Sequence, residues 1–142
     1  HLLAACLSNR AQCILDMADG KGRLPDGTPF RKQFAIPEHF DQFRRQAVQQ
    51  AEETADKACA VQASGPHLVR LGLARMLAAE LKASGPTGWL HMDESLATMQ
   101  DAARCFARAR RSGAREAAEG KFREAKEWLA DKGVNTVFPD YV

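Results

Sequence analysis

Apolar positions recur every three or four residues along most of the chain, the period of helices buried on one side. The most apolar run of helical length is Pro66 to Ser84, PHLVRLGLARMLAAELKAS. On a helical wheel Val69, Leu73, Met76, Leu77 and Leu81 form one broad face, which Leu68, Gly72 and Ala79 extend round the side. Little of such a helix can face water, so the pattern predicts the central helix of a bundle. Ala63-Ser64-Gly65-Pro66 and Ala83-Ser84-Gly85-Pro86 bracket it, each pairing a Gly suited to a left-handed cap with a Pro suited to a helix start.

Four more helices follow from the same period. Over Leu2 to Ala18, Leu3, Cys6, Leu7, Ala11, Ile14 and Met17 share one side, with Arg10 inside that face, and Asp19-Gly20 ends the pattern. Pro37 opens a second helix reaching towards Ala63, whose stripe of Phe40, Phe43, Ala47, Ala51, Thr54, Ala55, Ala58 and Val61 is narrow and mostly alanine. Small side chains there let another helix come close. Asp93 suits the cap of a fourth helix ending near Arg111, with Leu96, Met99, Ala103, Phe106 and Ala107 inward. Ser112-Gly113 turns the chain into a fifth, Ala114 to Lys132, which buries Ala118, Phe122, Ala125, Trp128 and Leu129. The tail carries Val137, Phe138 and Tyr141; it is apolar enough to dock on the bundle or to reach a partner.

Gly20 to Ile36 is the one long non-helical stretch inside the chain. Pro25-Asp26-Gly27-Thr28 has turn chemistry, which places a basic loop or small hairpin between the first two helices. Lys21, Arg23, Arg31 and Lys32 make the loop basic, and Phe30 and Phe34 sit among them. In one reading the cations meet phosphates while an aromatic ring stacks on a base. In the other, both rings pin the loop to the bundle and the charges are simply solvated.

Length and composition agree with an all-α single-domain bundle over residues 1–142, whole or a piece of a longer protein: 142 residues suit one core, alanine is abundant and β-branched residues are scarce. The chain starts at His1 without a methionine, which fits a processed start, an expression remnant or a domain cut from a longer chain. A formal charge of +2 is too small to mark the whole molecule as a nucleic-acid binder, so local clusters must carry any such argument. No apolar run approaches the ~20 residues that span a bilayer, and none has the form of a signal peptide, so no membrane partner is expected. The four cysteines, Cys6, Cys13, Cys59 and Cys105, lack metal or disulfide spacing. Buried free thiols in a reducing, cytoplasmic setting are the expectation.

The densest cationic cluster lies where the fourth helix meets the fifth. Arg104, Arg108 and Arg111 align along one helix side, with Arg110 and Arg115 beside them. Such a rod suits phosphates, each contact releasing counterions, although cations at a helix C-terminus also complement its dipole. Other polar candidates have less behind them. Glu52 and Asp56 stand one turn apart, yet no histidine or second acidic pair follows at ligand spacing. Arg70 and Glu80 fall inside the central helix's apolar arc, near ends where long side chains can reach water.

No metalloprotease, nucleophile-elbow, dinucleotide or di-iron motif is present, and His1, His39, His67 and His91 stand singly. His67 followed by Arg70 and Gly72 resembles the phosphorylated histidine of a histidine-phosphotransfer bundle, with the glycine displaced by one position. That resemblance implies a phosphorelay carrier or other small enzyme as a remote alternative. GLARMLAAELK followed by TGWL is similar to the small helical subunits of RNA-guided CRISPR complexes, and no residue role is carried over from either family. The sequence therefore predicts a non-catalytic binding module without cofactor or metal. It contacts nucleic acid or another polyanion through Arg104, Arg108, Arg111 and Arg115, with Lys21, Arg23, Arg31 and Lys32 assisting. The alternative is a protein adaptor or self-associating unit using the alanine stripe or the Phe138 and Tyr141 tail.

Overall fold

Alanine sets the distance between helices in this protein. The computed structural model describes residues 2–138. Among them five α-helices and no strand are present: α1 (Leu2–Ala18), α2 (Pro37–Val61), α3 (Gly65–Ala83), α4 (Met92–Arg111) and α5 (Arg115–Asp131). Each helix packs on the next, and α3 touches all four others. Of its nineteen residues only Pro66 and Glu80 are exposed, so the central position that its composition predicts is the one it takes.

The face that α1 buries differs from the expected one. Ala4, Ser8, Ala11, Leu15 and Ala18 are buried, at spacings of four and three, whereas Leu3 and Cys6 are exposed and Leu7, Ile14 and Met17 only partly covered. The helix is turned by one residue, about 100°. The reason lies in its partners. Ala18 packs with Ala47 and Val48, Leu15 with Ala51 and Ala74, and Ala11 with Ala55 and Leu71, so every layer between α1 and its neighbours contains alanines from both sides or from the facing helices. Close backbone approach then outweighs the burial of a few larger side chains, because densely packed contacts along a whole helix add up. The same turn puts Arg10 outside the core and leaves Cys6 and Cys13 exposed. Of the four thiols expected to be buried only Cys105 is, with Cys59 half-covered. All four are free.

Most of the stripe predicted on α2 forms the helix's inner side: Phe40, Ala47, Ala51, Thr54, Ala55 and Ala58 are buried, joined by Val48, while Phe43 is partly covered and Val61, at the end of the helix, is exposed. That stripe is spent within the chain.

Two adjacent arginines of α2 tie helix ends together. Arg44 Nε donates to the Ala18 carbonyl at the end of α1 (2.9 Å). Arg45 Nη1 donates to the Leu81 carbonyl near the end of α3 (2.6 Å) and Nη2 reaches Ser84 Oγ (3.1 Å). Each supplies a cation and a donor where a helix has carbonyls to spare. At the start of α3, Ser64 caps the helix by accepting from the His67 amide, while the His67 ring lies 3.0 Å from the Gln62 carbonyl.

α4 departs from its expected cap. A 3₁₀ turn, Gly88–His91, runs straight into the helix, which starts at Met92 without a side-chain cap, so Asp93 sits inside the first turn. Its carboxylate still complements the helix dipole there. Gly88 is required in that turn, because a Cβ would collide with the Ala83 carbonyl.

Between α1 and α2 the small hairpin is present. Leu24 N donates to Thr28 O and Phe30 N to Gly22 O (both 2.8 Å), and Gly27 takes φ +86° at the tip. A 3₁₀ turn over Phe30–Gln33 follows. Phe30 and Phe34 then join Phe40 and Phe43 in an aromatic cluster with ring centroids 5.2 to 6.3 Å apart. Towards the other terminus Phe138 is buried edge-on against Phe122 at 5.3 Å while Val137 stands exposed, so the tail is held through Phe138. Tyr141 lies outside the described residues.

Candidate functional site

The eight cations singled out by the sequence separate into two groups. Lys21, Arg23, Arg31 and Lys32 stand at the end of the bundle where α1 finishes and α2 begins. Arg45 brings the end of α3 to that same end, from which α4 departs. The α4–α5 corner lies at the other end, where the start of α3 presses so closely that a Cβ on Gly65 would stand 2.5 Å from the Ser112 carbonyl. α4 has 20 residues, ~30 Å of helix, and this length keeps the two groups apart. No single ligand face joins them at short range.

In the loop the aromatic rings are already engaged. Phe30 and Phe34 stack among Phe40 and Phe43, and the Arg31 guanidinium lies over the Phe40 ring at 5.1 Å. Arg23 Nη1 donates to the Gly27 carbonyl inside the hairpin, and Lys21 lies 3.9 Å from Asp19. The residues that suggested base stacking instead hold the loop down. All four cations of the loop remain exposed.

The arginine end is different. Along α4 every carboxylate (Asp93, Glu94, Asp101) falls in the first half, and every arginine (Arg104, Arg108, Arg110, Arg111) in the second. Asp93, Ala97, Asp101, Arg104, Arg108 and Arg111 follow one another at spacings of four and three, and all are exposed. They form one strip facing water. Arg104 is tied to Asp101 at 2.9 Å. Past the turn, Arg115 opens α5 and is exposed as well.

A groove of about 540 Å³ runs between α2 and α4 over α3, and the sequence did not reveal its centre. Arg75 of α3 lies in its floor, 3.5 Å from Glu52 Oε1 and 3.7 Å from Asp56 Oδ1. The two carboxylates considered as the start of a metal site are thus held by a guanidinium. Arg75 Nη1 also donates to Cys105 Sγ at 3.1 Å. Burial nevertheless pushes the Cys105 thiol up, and burial with Cys105 nearby pushes Cys59 up to about 11. Both sulfurs are protonated at neutral pH, which makes them poor nucleophiles. Arg70, the other half-buried guanidinium of α3, donates to Ser8 Oγ at 2.7 Å and to Asn9 Oδ1 at 3.3 Å. Wheel position gave warning of Arg70, but Arg75 needed the tertiary pairing of α2 with α3. Among the described residues no group of three or more His, Cys, Asp or Glu has the arrangement of a metal site. No helix there is long and apolar enough to cross a membrane.

When the chain is compared with protein-family models, with curated proteins and with solved structures, nothing matches.

Proposed function

We propose that the protein is a non-catalytic helical-bundle module that binds a polyanion, nucleic acid being the leading class, through the α4–α5 corner. The observation that carries this reading is the exposed strip of α4 whose second half holds arginines and no carboxylate. Arg108 and Arg111 supply charge on the strip, Arg115 continues it past the turn, and Arg104 lies one turn back beside Asp101. Exposed guanidiniums on a rigid helix can meet phosphates in forked geometry. The loop cations belong to a separate patch at the far end.

The test is fluorescence anisotropy with a labelled single-stranded oligonucleotide over a range of salt. Affinity should fall steeply with ionic strength, and the slope of log K against log salt should shrink by about 0.7 for each arginine contact removed in Arg108→Gln and Arg111→Gln. Arg31→Gln with Lys32→Gln should leave binding at the corner unchanged. Binding independent of salt, or lost with the loop pair and kept with the corner pair, overturns the assignment.

A further inference from the structure

A second groove, of about 380 Å³, lies where α1 and α5 flank α3 without packing on each other. Leu73 and Leu77, one turn apart on α3 and both partly uncovered, form its floor beside Met76. Carboxylates stand over that floor from three sides: Asp16 and Asp19 at the end of α1, Glu80 on α3 and Glu124 on α5. The two lysines of the lining are already engaged. Lys121 lies 3.1 Å from Glu124, and Lys21 lies 3.9 Å from Asp19, which also has Arg44 at 4.0 Å. Asp16 receives a neutral donor, the Gln12 amide at 2.9 Å. Glu80, with Lys121 and Arg44 at longer range, makes no hydrogen bond or close ion pair among the described residues. Four carboxylates against two lysines leave the lining with a negative excess over an apolar floor. From this pairing of floor and rim we infer that the groove docks a basic segment of a partner protein, whose lysine or arginine stems lie on Leu73 and Leu77 and whose charged heads meet Asp16 and Glu80.

Such side chains suit both parts of the site, because their methylene stems cover apolar surface while the head stays at a wet rim. Glu80 follows Leu77 by three residues, ~4.5 Å along α3, so a four-carbon stem lying on Leu77 ends beside that carboxylate. The occupant is a chain and not a free amine for a geometric reason. Glu80 and Glu124 are exposed, so a small amine held by them would stay largely in water, whereas small-ligand sites bury most of their ligand. The carboxylates are also spread over α1, α3 and α5, and a segment carrying several cations reaches more of them than one ammonium does. Glu124 repels Glu80 in the unoccupied groove, and a cation between them removes that repulsion. Ion pairs at a rim contribute little each, so the affinity is modest and falls with salt. The groove uses none of the arginines of the α4–α5 corner.

Fluorescence anisotropy of a labelled oligolysine peptide, at low and at moderate salt, tests the inference. The wild type should bind the peptide, more weakly as salt rises, and Asp16→Asn with Glu80→Gln in one chain should weaken binding about tenfold. Glu53→Gln with Glu94→Gln removes two exposed carboxylates from the groove between α2 and α4 and should change binding little. The same peptide built from diaminopropionic acid, whose ammonium stands on a single methylene, should bind several-fold more weakly because its stem is too short for the floor. Circular dichroism checks that each variant stays folded. No binding by the wild type, or equal loss in both double variants, overturns the inference. A short-stem peptide that binds as well as oligolysine overturns it too, and so does cadaverine binding as tightly as the peptide, which would assign the groove to free amines. Oligonucleotide binding at the α4–α5 corner should survive Asp16→Asn with Glu80→Gln, so the two readings stand or fall separately.

Discussion

Gly72 of α3 lies directly beneath the ring of Phe106 of α4: a Cβ placed on it would stand 2.6 Å from Phe106 Cε1 and 2.9 Å from two further ring atoms. Phe106 is fully buried, so the ring fills the space that a side chain at 72 would need. The absence of a side chain at one position thus sets how closely the two helices cross.

Gly72→Ala should therefore destabilise the protein by about 1–3 kcal/mol, the usual cost of forcing an extra methyl into a packed core. Gly120 provides the contrast, since it lies exposed in α5 with nothing within 4 Å of a Cβ. Gly120→Ala should stabilise by about 0.5–1 kcal/mol through helix propensity alone. Urea unfolding of both variants measures the two effects. Equal responses would mean that the Gly72–Phe106 contact is not tight.

Glu80 gives a pH signature. Although Glu80 stands at the surface of α3, neighbouring helices shield part of its carboxylate from water and Glu124 repels it, while Lys121 and Arg44 oppose the rise, and the net effect is a pKa above the ordinary 4.5. Asp16, Asp19 and Lys21 line, together with Glu80, Lys121 and Glu124, the separate groove bounded by α1, α3 and α5. A carboxyl whose pKa is raised on folding binds more protons folded than unfolded, so stability from this group is present at acid pH and lost as pH rises through the raised value. Glu80→Gln should be more stable than the wild type at pH 7, and the difference should vanish near pH 4. Urea midpoints across that range provide the measurement. A glutamine variant that is less stable at neutral pH would show that the carboxylate is held by its lysine and arginine neighbours instead.

Thiol labelling reports on the orientation of α1. Cys6 and Cys13 are exposed on the folded protein, whereas Cys105 is buried and Cys59, with a pKa near 11, is about one part in a thousand ionised at pH 8. Ellman's reagent should modify two thiols quickly in native conditions and four after denaturation. Slow reaction at Cys6 would mean that α1 turns its larger residues inward after all.

Periodicity alone was enough to mark all five helices, the two Ser-Gly-Pro corners and the central place of α3, because apolar spacing and turn residues act locally. The inner side of α2 was legible for the same reason, its alanines offering only one stripe to bury. The orientation of α1 was not. A wheel weighted by hydropathy chooses Leu3, Leu7 and Ile14, while Ala4, Ala11 and Ala18 win through contacts with helices that the wheel does not contain.

The clustered arginines of α4 are written in consecutive helical turns, so the strip could be recognised before any fold was known. Its distance from the basic loop depends on chain direction within the bundle, which places residues 21–32 at one end and the Arg111–Arg115 corner at the other. The same holds for the engagement of Phe30 and Phe34 and for the hold of Arg75 on Glu52 and Asp56. Local spacing dictates which side chains share a face of one helix. What that face meets depends on how closely neighbouring backbones approach, a property of several helices packed at once.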